Sequence, residues 1–564
     1  MHQTQSNSRL PLLLLISSFS AFYITVELLL ILNRDIFGTQ GILNTIELVL
    51  LSFLNLVPSG IFAFAIVSAL PRVMVSTLND ETLIASQHLI VGKLKVASLY
   101  TTYNDFIPNY ALYNLTEARR RGRGFFILDD SNDPRKRAEV DMFVQEYNCD
   151  LVRRDNRKGY KAGAINCWLR KYSGCYDYVF ILDSDSQASA ASIDYCVELA
   201  RRDPKLAVIQ SKTLTITSVP NKLTLSAVTI QHAYMAVVQA AMKNLGTSPF
   251  YGHNALLKVE ALKALGGLVE ESNEDYKTLA RLQNIGFNSI YASNAITYEE
   301  IPPDYFSSRK RALRWARDAV GQLGLLRYKA PGAMKFYLVY GWATYMANIV
   351  LLSFLVLLAY NGFLPLQSGG SAYFAEMAGV MTMAILILWP LLSLRVKDSE
   401  LTIRKILTSI AWSSLFNAPM MGPVSVQIVK TSATQIFVRA RRAISGIDSK
   451  LVEEFVVTPK VSTKSQTFSS ILASLKAEFI IGSLPLTVGI ISGAMYFLLF
   501  SSPQLFMLIA LPIVIFHQGA RISRRRRQFF DAGLGMSVAS TFPSYGPAIS
   551  QYGPFIELAT HRIR

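Results

Sequence analysis

Three pairs of carboxylates sit at the edges of apolar or helical runs in the middle of this 564-residue chain. Asp129 and Asp130 close FFILDD. Asp183 and Asp185 close YVFILDSD. Glu274 and Asp275 open EDYKTLARLQ. Asp-x-Asp at a strand end can hold a hard divalent cation, which takes oxygen ligands and bridges phosphate oxygens. Such a cation would neutralise a diphosphate leaving group. A separate carboxylate can act as general base toward a hydroxyl nucleophile. Each pair also has a plainer reading. A strand ending in DxD is often a solvated turn or helix cap, and first-turn acids are favoured by the helix dipole. The order of the three pairs favours the chemical reading.

The elements that would position them are visible in the pattern. Apolar runs with turn signals fall at 94–101, 124–129, 149–153, 178–182 and 206–210, with helical patterns between several of them. Alternation of this kind predicts an α/β domain with a mainly parallel sheet. Ligands of such sheets bind at the carboxyl ends of the strands, where these acids lie.

The rest of the chain is apolar and basic. Mean hydropathy is +0.29, 17% of residues are charged, and the formal net charge is +17. That balance predicts membrane spans flanked by Lys and Arg, and an anionic substrate. Nucleic acid is not expected as a partner, because the basic residues lie beside apolar runs or in short motifs. The four cysteines, Cys149, Cys167, Cys175 and Cys196, form no CxxC pair and read as reduced thiols.

A helix needs about 20 apolar residues to span a bilayer. Runs 11–32, 47–70, 336–360, 373–394, 479–500 and 504–519 qualify, the last being short but uncharged. Run 406–429 is interrupted by Asn417, Pro419, Gly422 and Pro423 and reads as interfacial or re-entrant. Loops 361–372 and 501–503 carry no charge, whereas 395–405 and 521–527 are basic. The positive-inside rule then puts the large central region in the cytoplasm of a protein integral to the cell membrane. The expected organisation is two transmembrane helices (1–72), a cytoplasmic catalytic domain (90–305), an interfacial amphipathic region (306–335), two transmembrane helices (336–397), an interfacial helix and loop (398–465), two more spans (479–520) and a basic cytoplasmic tail (521–564). A transporter with a nucleotide-sensing domain would want ionisable residues inside the spans. The spans hold few, with Glu27 and Glu47 near their ends.

Eight motifs then occur in a telling order. TTYND (Thr101 to Asp105), DDSND, KAGAIN (Lys161 to Asn166), DSD, FYGHN, NED, RALRW and FVVTPK (Phe455 to Lys460) run from the central domain into the membrane region. The chain resembles family 2 processive glycosyltransferases of the cellulose-synthase-like superfamily. The FYGHN form is that of bacterial-type glucan glucosyltransferases, and FxVTxK is similar to the superfamily's gating loop. The resemblance spans roughly 90–520. It implies an α/β GT-A-type cytoplasmic domain inserted between transmembrane α-helices.

By that resemblance Asp105 and Asp130 contact the nucleotide and Lys161 the donor phosphate. Asp183 and Asp185 bind the sugar diphosphate with Mg2+ or Mn2+. Asp275 is the base, with Glu274 beside it. Arg314 steadies the diphosphate, and Trp315 stacks against acceptor sugar. His253 and Asn254 read as acceptor-binding, with a structural role the alternative for His253. Thr458 and Lys460 close over the nucleotide. Two positions depart from the pattern: Arg311 replaces the Gln of QxxRW, and Asp105 replaces the commoner Glu of TYNE. Arg cannot accept a hydrogen bond, so acceptor contacts at 311 should differ. The implied activity is inverting polymerisation from a nucleotide-sugar donor, UDP-glucose foremost, onto a growing glycan that crosses the bilayer. A non-processive transferase to a lipid or short acceptor, or a synthase using GDP-mannose or UDP-GlcNAc, is the alternative. On the third span Tyr337, Gly341, Thr344, Tyr345 and Asn348 share one helical face, which with these motifs reads as a sugar path, an aromatic belt with small-residue packing being the plainer alternative.

Overall fold

The computed structural model describes residues 9–31, 42–70, 94–218, 220–361, 390–391, 402–445, 468–484 and 511–515. The expected spans 373–394, most of 479–500 and 504–519, the motif with Thr458 and Lys460, and the 528–564 tail lie largely or wholly outside these residues.

The central domain is built on one eight-stranded sheet of order β3-β2-β1-β4-β7-β6-β8-β5. The strands are β1 (Val96–Thr102), β2 (Gly124–Asp129), β3 (Asp150–Arg153), β4 (Tyr178–Asp183), β5 (Ser186–Ala188), β6 (Leu206–Ile216), β7 (Ala255–Lys258) and β8 (Asn288–Glu300). Neighbours among β1 to β4 run parallel, as the pattern predicted. The other half is mixed. β7 is antiparallel to both β4 and β6, and β5 is antiparallel to β8. The sequence reading found the four-residue β3 but missed the short β5 and β7 and also the longer β8.

β1 is buried along its whole length because helices cover both faces of the sheet. On one face Tyr100, Phe125, Ile127, Phe180 and Leu182 pack together. On the other, Leu99, Phe126, Leu128, Val179 and Ile181 join the fully buried Trp168. This second core continues without a break into Leu15, Phe64, Val67, Met334 and Tyr337. Those residues belong to helices α1 (Arg9–Ile31), α2 (Ile42–Ser68) and one near the end of the domain, Gly332–Asn361. These are the three helices, among the described residues, long and apolar enough to cross a membrane. The catalytic domain and the apolar helices are therefore one packed body.

Between β1 and β8 lie α3 (Pro108–Arg119), α4 (Pro134–Tyr147), α5 (Tyr160–Tyr172), α6 (Ala190–Arg202), α7 (Lys222–Tyr234), α8 (Ala240–Asn244), α9 (Val259–Leu265) and α10 (Glu274–Asn284). A π-helical segment, Met235–Gln239, joins α7 to α8. After the sheet come α11 (Tyr305–Val320), α12 (Gly332–Asn361), α13 (Ile403–Ser445), α14 (Phe468–Ser474) and α15 (Lys476–Gly482).

Three findings qualify the sequence reading. Run 406–429 is not broken at its prolines. Pro419 and Pro423 lie inside the continuous helix α13, both buried against neighbouring elements. α13 lies on the catalytic domain, where Ser409 donates to Thr229 at 3.0 Å. Polar groups also sit within the apolar helices: Glu27 of α1 accepts from Ser52 at 2.5 Å and from Asn55 at 2.9 Å, both on α2. Such interhelical bonds hold apolar helices together. Finally, the aromatic face of α12 is divided. Tyr337 is 6% exposed and buried in the catalytic domain, whereas Thr344, two turns on, is exposed.

Candidate active site

The strand register brings the acids together. Thr102 is the register partner of Asp129, and Thr101 that of Asp183, so the carboxyl ends of β1, β2 and β4 form one edge. Asp105 ties that edge to the DSD turn. Its carboxylate accepts from Thr102 Oγ1 (2.9 Å), the Tyr103 backbone N–H (2.8 Å) and Ser184 Oγ (2.8 Å). Asp185 is 2% exposed, packed into the turn.

A row of cations faces the acids. Arg153 grips Asp129 with two nitrogens at 2.9 and 2.6 Å. Arg154 holds Asp130 in a two-pronged pair at 2.7 and 2.5 Å. Lys161 pairs with Asp183. The Arg157 guanidinium lies 3.3 Å over the Tyr103 ring. Gly163 is forced: a Cβ there would collide with the Lys158 carbonyl and the Arg154 side chain. The sequence reading placed Asp130 and Lys161 here but missed Arg153, Arg154 and Arg157. A signal was available, since RRD ends β3 just where DD ends the adjacent parallel β2, and Asp129 and Arg153 are register partners.

The third pair approaches from the other side. Glu274 and Asp275 begin α10 after Asn273, whose φ of 60° turns the chain into the helix. Asp275 accepts from its neighbour's N–H, Tyr276, at 2.8 Å. Gly252 passes so close that a Cβ would stand 3.6 Å from the Asp275 Cβ, and its φ of +80° favours glycine as well. The next residue, His253, reaches back toward the DSD turn, 3.8 Å from Asp183. The loop 251–254 therefore lies between the DSD acids and the Glu274–Asp275 pair.

His253 is fixed at both nitrogens. Nδ1 is 2.9 Å from the Tyr251 carbonyl oxygen, and Nε2 is 2.5 Å from the Glu299 carboxylate. Both partners are acceptors, a setting that favours the protonated ring. Burial opposes that charge, but Glu299 and Asp183 outweigh it and raise the pKa. Asn254, expected at the acceptor, is 0% exposed and its amide offers no surface to a sugar. Its φ of 50° accounts for an Asn there, since Asn tolerates the left-handed region. Glu299, which no motif marked, is a product of the fold: β8 brings it beside Ser186 of β5.

α11 closes the site. Asp304 caps it through the Ser307 N–H at 2.8 Å. Trp315 is 41% exposed, and the Arg311 guanidinium lies 4.8 Å over its ring. Burial lowers the Arg311 pKa, while Glu299 and Asp185 favour its charge. The departure from Gln at 311 is thus matched by an acid at 299. Arg314 acts electrostatically on both Glu274 and Asp275.

Burial pushes Asp275 up to about 8, and the neighbouring Glu274 and Asp318 act the same way, against the Tyr276 N–H and Arg314. Burial also raises Glu274, against Lys161 and Arg314. The two titrate as a pair. A base works only when deprotonated, so kcat/KM should rise with pH through this range. The acid limb should lie well above the ordinary carboxylate value of about 4. Glu274→Gln removes one raising charge and should move the limb to lower pH. Paired pH–rate profiles test this, and an unmoved limb near pH 4 in both proteins contradicts it.

The acids of the DSD edge and the Glu274–Asp275 pair thus meet across a short loop on an α/β fold with a mixed sheet. Residues 178–395 match the family model described as Glycosyl transferase family group 2. Among curated proteins it is similar to the "Glucans biosynthesis glucosyltransferase H" of Bradyrhizobium diazoefficiens, 25% identical over 301 residues, covering 46% of this chain and 39% of that one. It is also similar to "Glucomannan 4-beta-mannosyltransferase 7" of Arabidopsis thaliana, 28% identical over 212 residues, covering 36% of this chain and 38% of the relative. These matches thus span about two fifths of the relatives' length. Among solved structures, a mannosyltransferase from Pyrobaculum calidifontis in complex with GDP-Man and Mn2+ aligns with TM-score 0.44 and 17% identity, over 63% of this chain and all of that one.

Proposed function

We propose that this chain is a membrane-embedded inverting glycosyltransferase that polymerises sugar from a nucleotide-sugar donor, UDP-glucose foremost, and passes the glycan across the bilayer. The observation that carries the reading is the opposition of two sets of groups. Asp183, Asp185, Lys161 and His253 gather where a diphosphate would leave. Asp275, raised in pKa, faces them across Gly252. In-line displacement needs a base on one side of the anomeric carbon and charge neutralisation on the other.

Asp183 and Asp185 suit Mg2+ or Mn2+, being hard oxygen donors on one tight turn. No group of three or more His, Cys, Asp and Glu side chains spaced to hold a metal occurs among the described residues. A cation here would therefore complete its shell with donor phosphates and water, as Mg2+ commonly does. When bound it would supply charge to the departing diphosphate. Asp105 and the Tyr103 ring would meet the nucleotide. Asp130, held by Arg154, would contribute through its remaining lone pairs. Arg314 would steady the diphosphate, and the exposed Trp315 face would stack on acceptor sugar. Thr458 and Lys460 are assigned to nucleotide closure on the FxVTxK pattern alone.

The apolar helices α1, α2 and α12, packed into the domain core, support membrane embedding, and the cytoplasmic side is assigned on the positive-inside pattern of the loops alone. A GDP-mannose-using synthase is the second reading, favoured by the relatives named as glucomannan mannosyltransferases. Product analysis separates them. Purified full-length protein in lipid nanodiscs should incorporate label from UDP-glucose into a polymer cut by β-glucanase. Label entering only from GDP-mannose, into a product cut by β-mannanase, would overturn the glucan assignment.

A further inference from the structure

We propose that four clustered phenols, Tyr234, Tyr251, Tyr276 and Tyr337, form a positioning device that holds the catalytic base and makes α12 a working part of the active site. This rests on the glycosyltransferase reading with Asp275 as base.

The hydroxyls converge from four elements. Tyr337 of α12 is the hub, with its oxygen 2.6 Å from that of Tyr234, 3.1 Å from Tyr276 and 3.5 Å from Tyr251. Tyr234 and Tyr251 are 3.3 Å apart. A phenol can donate once and accept twice, so three neighbours saturate the Tyr337 hydroxyl. The Tyr276 and Tyr337 rings lie nearly parallel, at 8° with centroids 6.3 Å apart. Gln239 donates to Tyr251 from the last position of the π-helical segment. π-Helical turns are uncommon and frequently mark functional sites. Here the segment directly follows Tyr234 and brings Gln239 into the cluster.

Two members adjoin the base through the chain. Tyr276 follows Asp275, and its N–H is the donor to that carboxylate. Tyr251 precedes Gly252, the residue packed against the Asp275 side chain, and its carbonyl accepts from His253. Both flanks of the carboxylate are thus one residue from a phenol bonded to the apolar helix. Packing alone would be met by phenylalanine, without the cost of burying four hydroxyls. Hydroxyls fix direction as well as distance, and a base gains most from that, since an error of about 1 Å can cost about 10²-fold in rate.

Tyr337→Phe and Tyr276→Phe keep the rings and remove one hydroxyl each. In full-length protein in nanodiscs, each should lower kcat on the order of 10-fold, with donor KM unchanged within about twofold and an unchanged thermal midpoint. Tyr172→Phe, at the C-terminal end of α5 against Phe126 and Trp168 and outside the phenol cluster, is the control and should behave as wild type. Wild-type kcat in both variants, with Asp275→Asn inactive, would overturn the device while leaving the glycosyltransferase reading intact. A loss of kcat matched by loss of folded protein in both variants would also overturn it, leaving only a stabilising role. An inactive wild type, or an active Asp275→Asn, would remove the reading and the device with it.

Discussion

Asp275→Asn is expected to abolish sugar transfer while leaving donor binding nearly intact. The residue lies at the start of α10, against Gly252, opposite the side on which Asp183, Lys161 and His253 gather. It should therefore act on the acceptor hydroxyl and not on the donor. Loss of one positioned base should cost about 10²–10⁴ in rate. The substitution is nearly isosteric and removes a buried acid, so the fold should tolerate it. Rates with saturating acceptor, beside donor affinity from calorimetry, give the answer. Near wild-type turnover would remove Asp275 from its role, and a large loss of donor affinity would move it to the donor side.

The second large effect is expected from the cation. Excess EDTA should stop turnover, and Mg2+ or Mn2+ should restore it. Asp185→Ala should lose activity on the order of 10³-fold, in line with the several kcal/mol that a Lewis acid supplies to a developing anion. Added metal should not rescue it. The argument is electrostatic. Asp183 and Asp185 stand two residues apart on one turn, and a diphosphate brought beside them would be repelled without a cation between. Lys161 and His253 offset Asp183 in part but lie to its side of the turn. Full activity in EDTA, or a fully active Asp185→Ala, contradicts the assignment.

The legible part of this protein was the part written in short chain segments. β1, β2 and β4 announce themselves as apolar runs, and their register carries Asp129 and Asp183 to one edge without further information. The carboxylate pair at 274–275 was legible because a helix start has its own pattern. What the sequence hid was pairing across distance. Glu299 has no local signature, and its meaning lies in the 2.5 Å bond to His253, 46 residues away. Arg154 carried no local signal, and only the pairing of β3 beside β2 delivers it to Asp130. β7, the short Ala255–Lys258, was not read from the sequence, yet it leads out of the loop that carries His253. Tyr337 is a different case. Its helical face fits a lining, but its hydroxyl is spent on Tyr234 and Tyr276. A face defined by spacing alone does not say what it faces. The prolines of α13 make the same point, since a helix held by neighbours can tolerate residues that would end an isolated one.

The most direct test of the central claim is release of nucleoside diphosphate by the purified full-length chain in lipid nanodiscs. UDP-glucose, GDP-mannose and UDP-GlcNAc would be offered separately, with Mg2+ or Mn2+ and a short glycan acceptor. Release from one donor, UDP-glucose foremost, matched mole for mole by sugar incorporated into glycan and absent in Asp275→Asn, is the predicted result. No release from any nucleotide sugar in a folded, metal-supplied protein would contradict it.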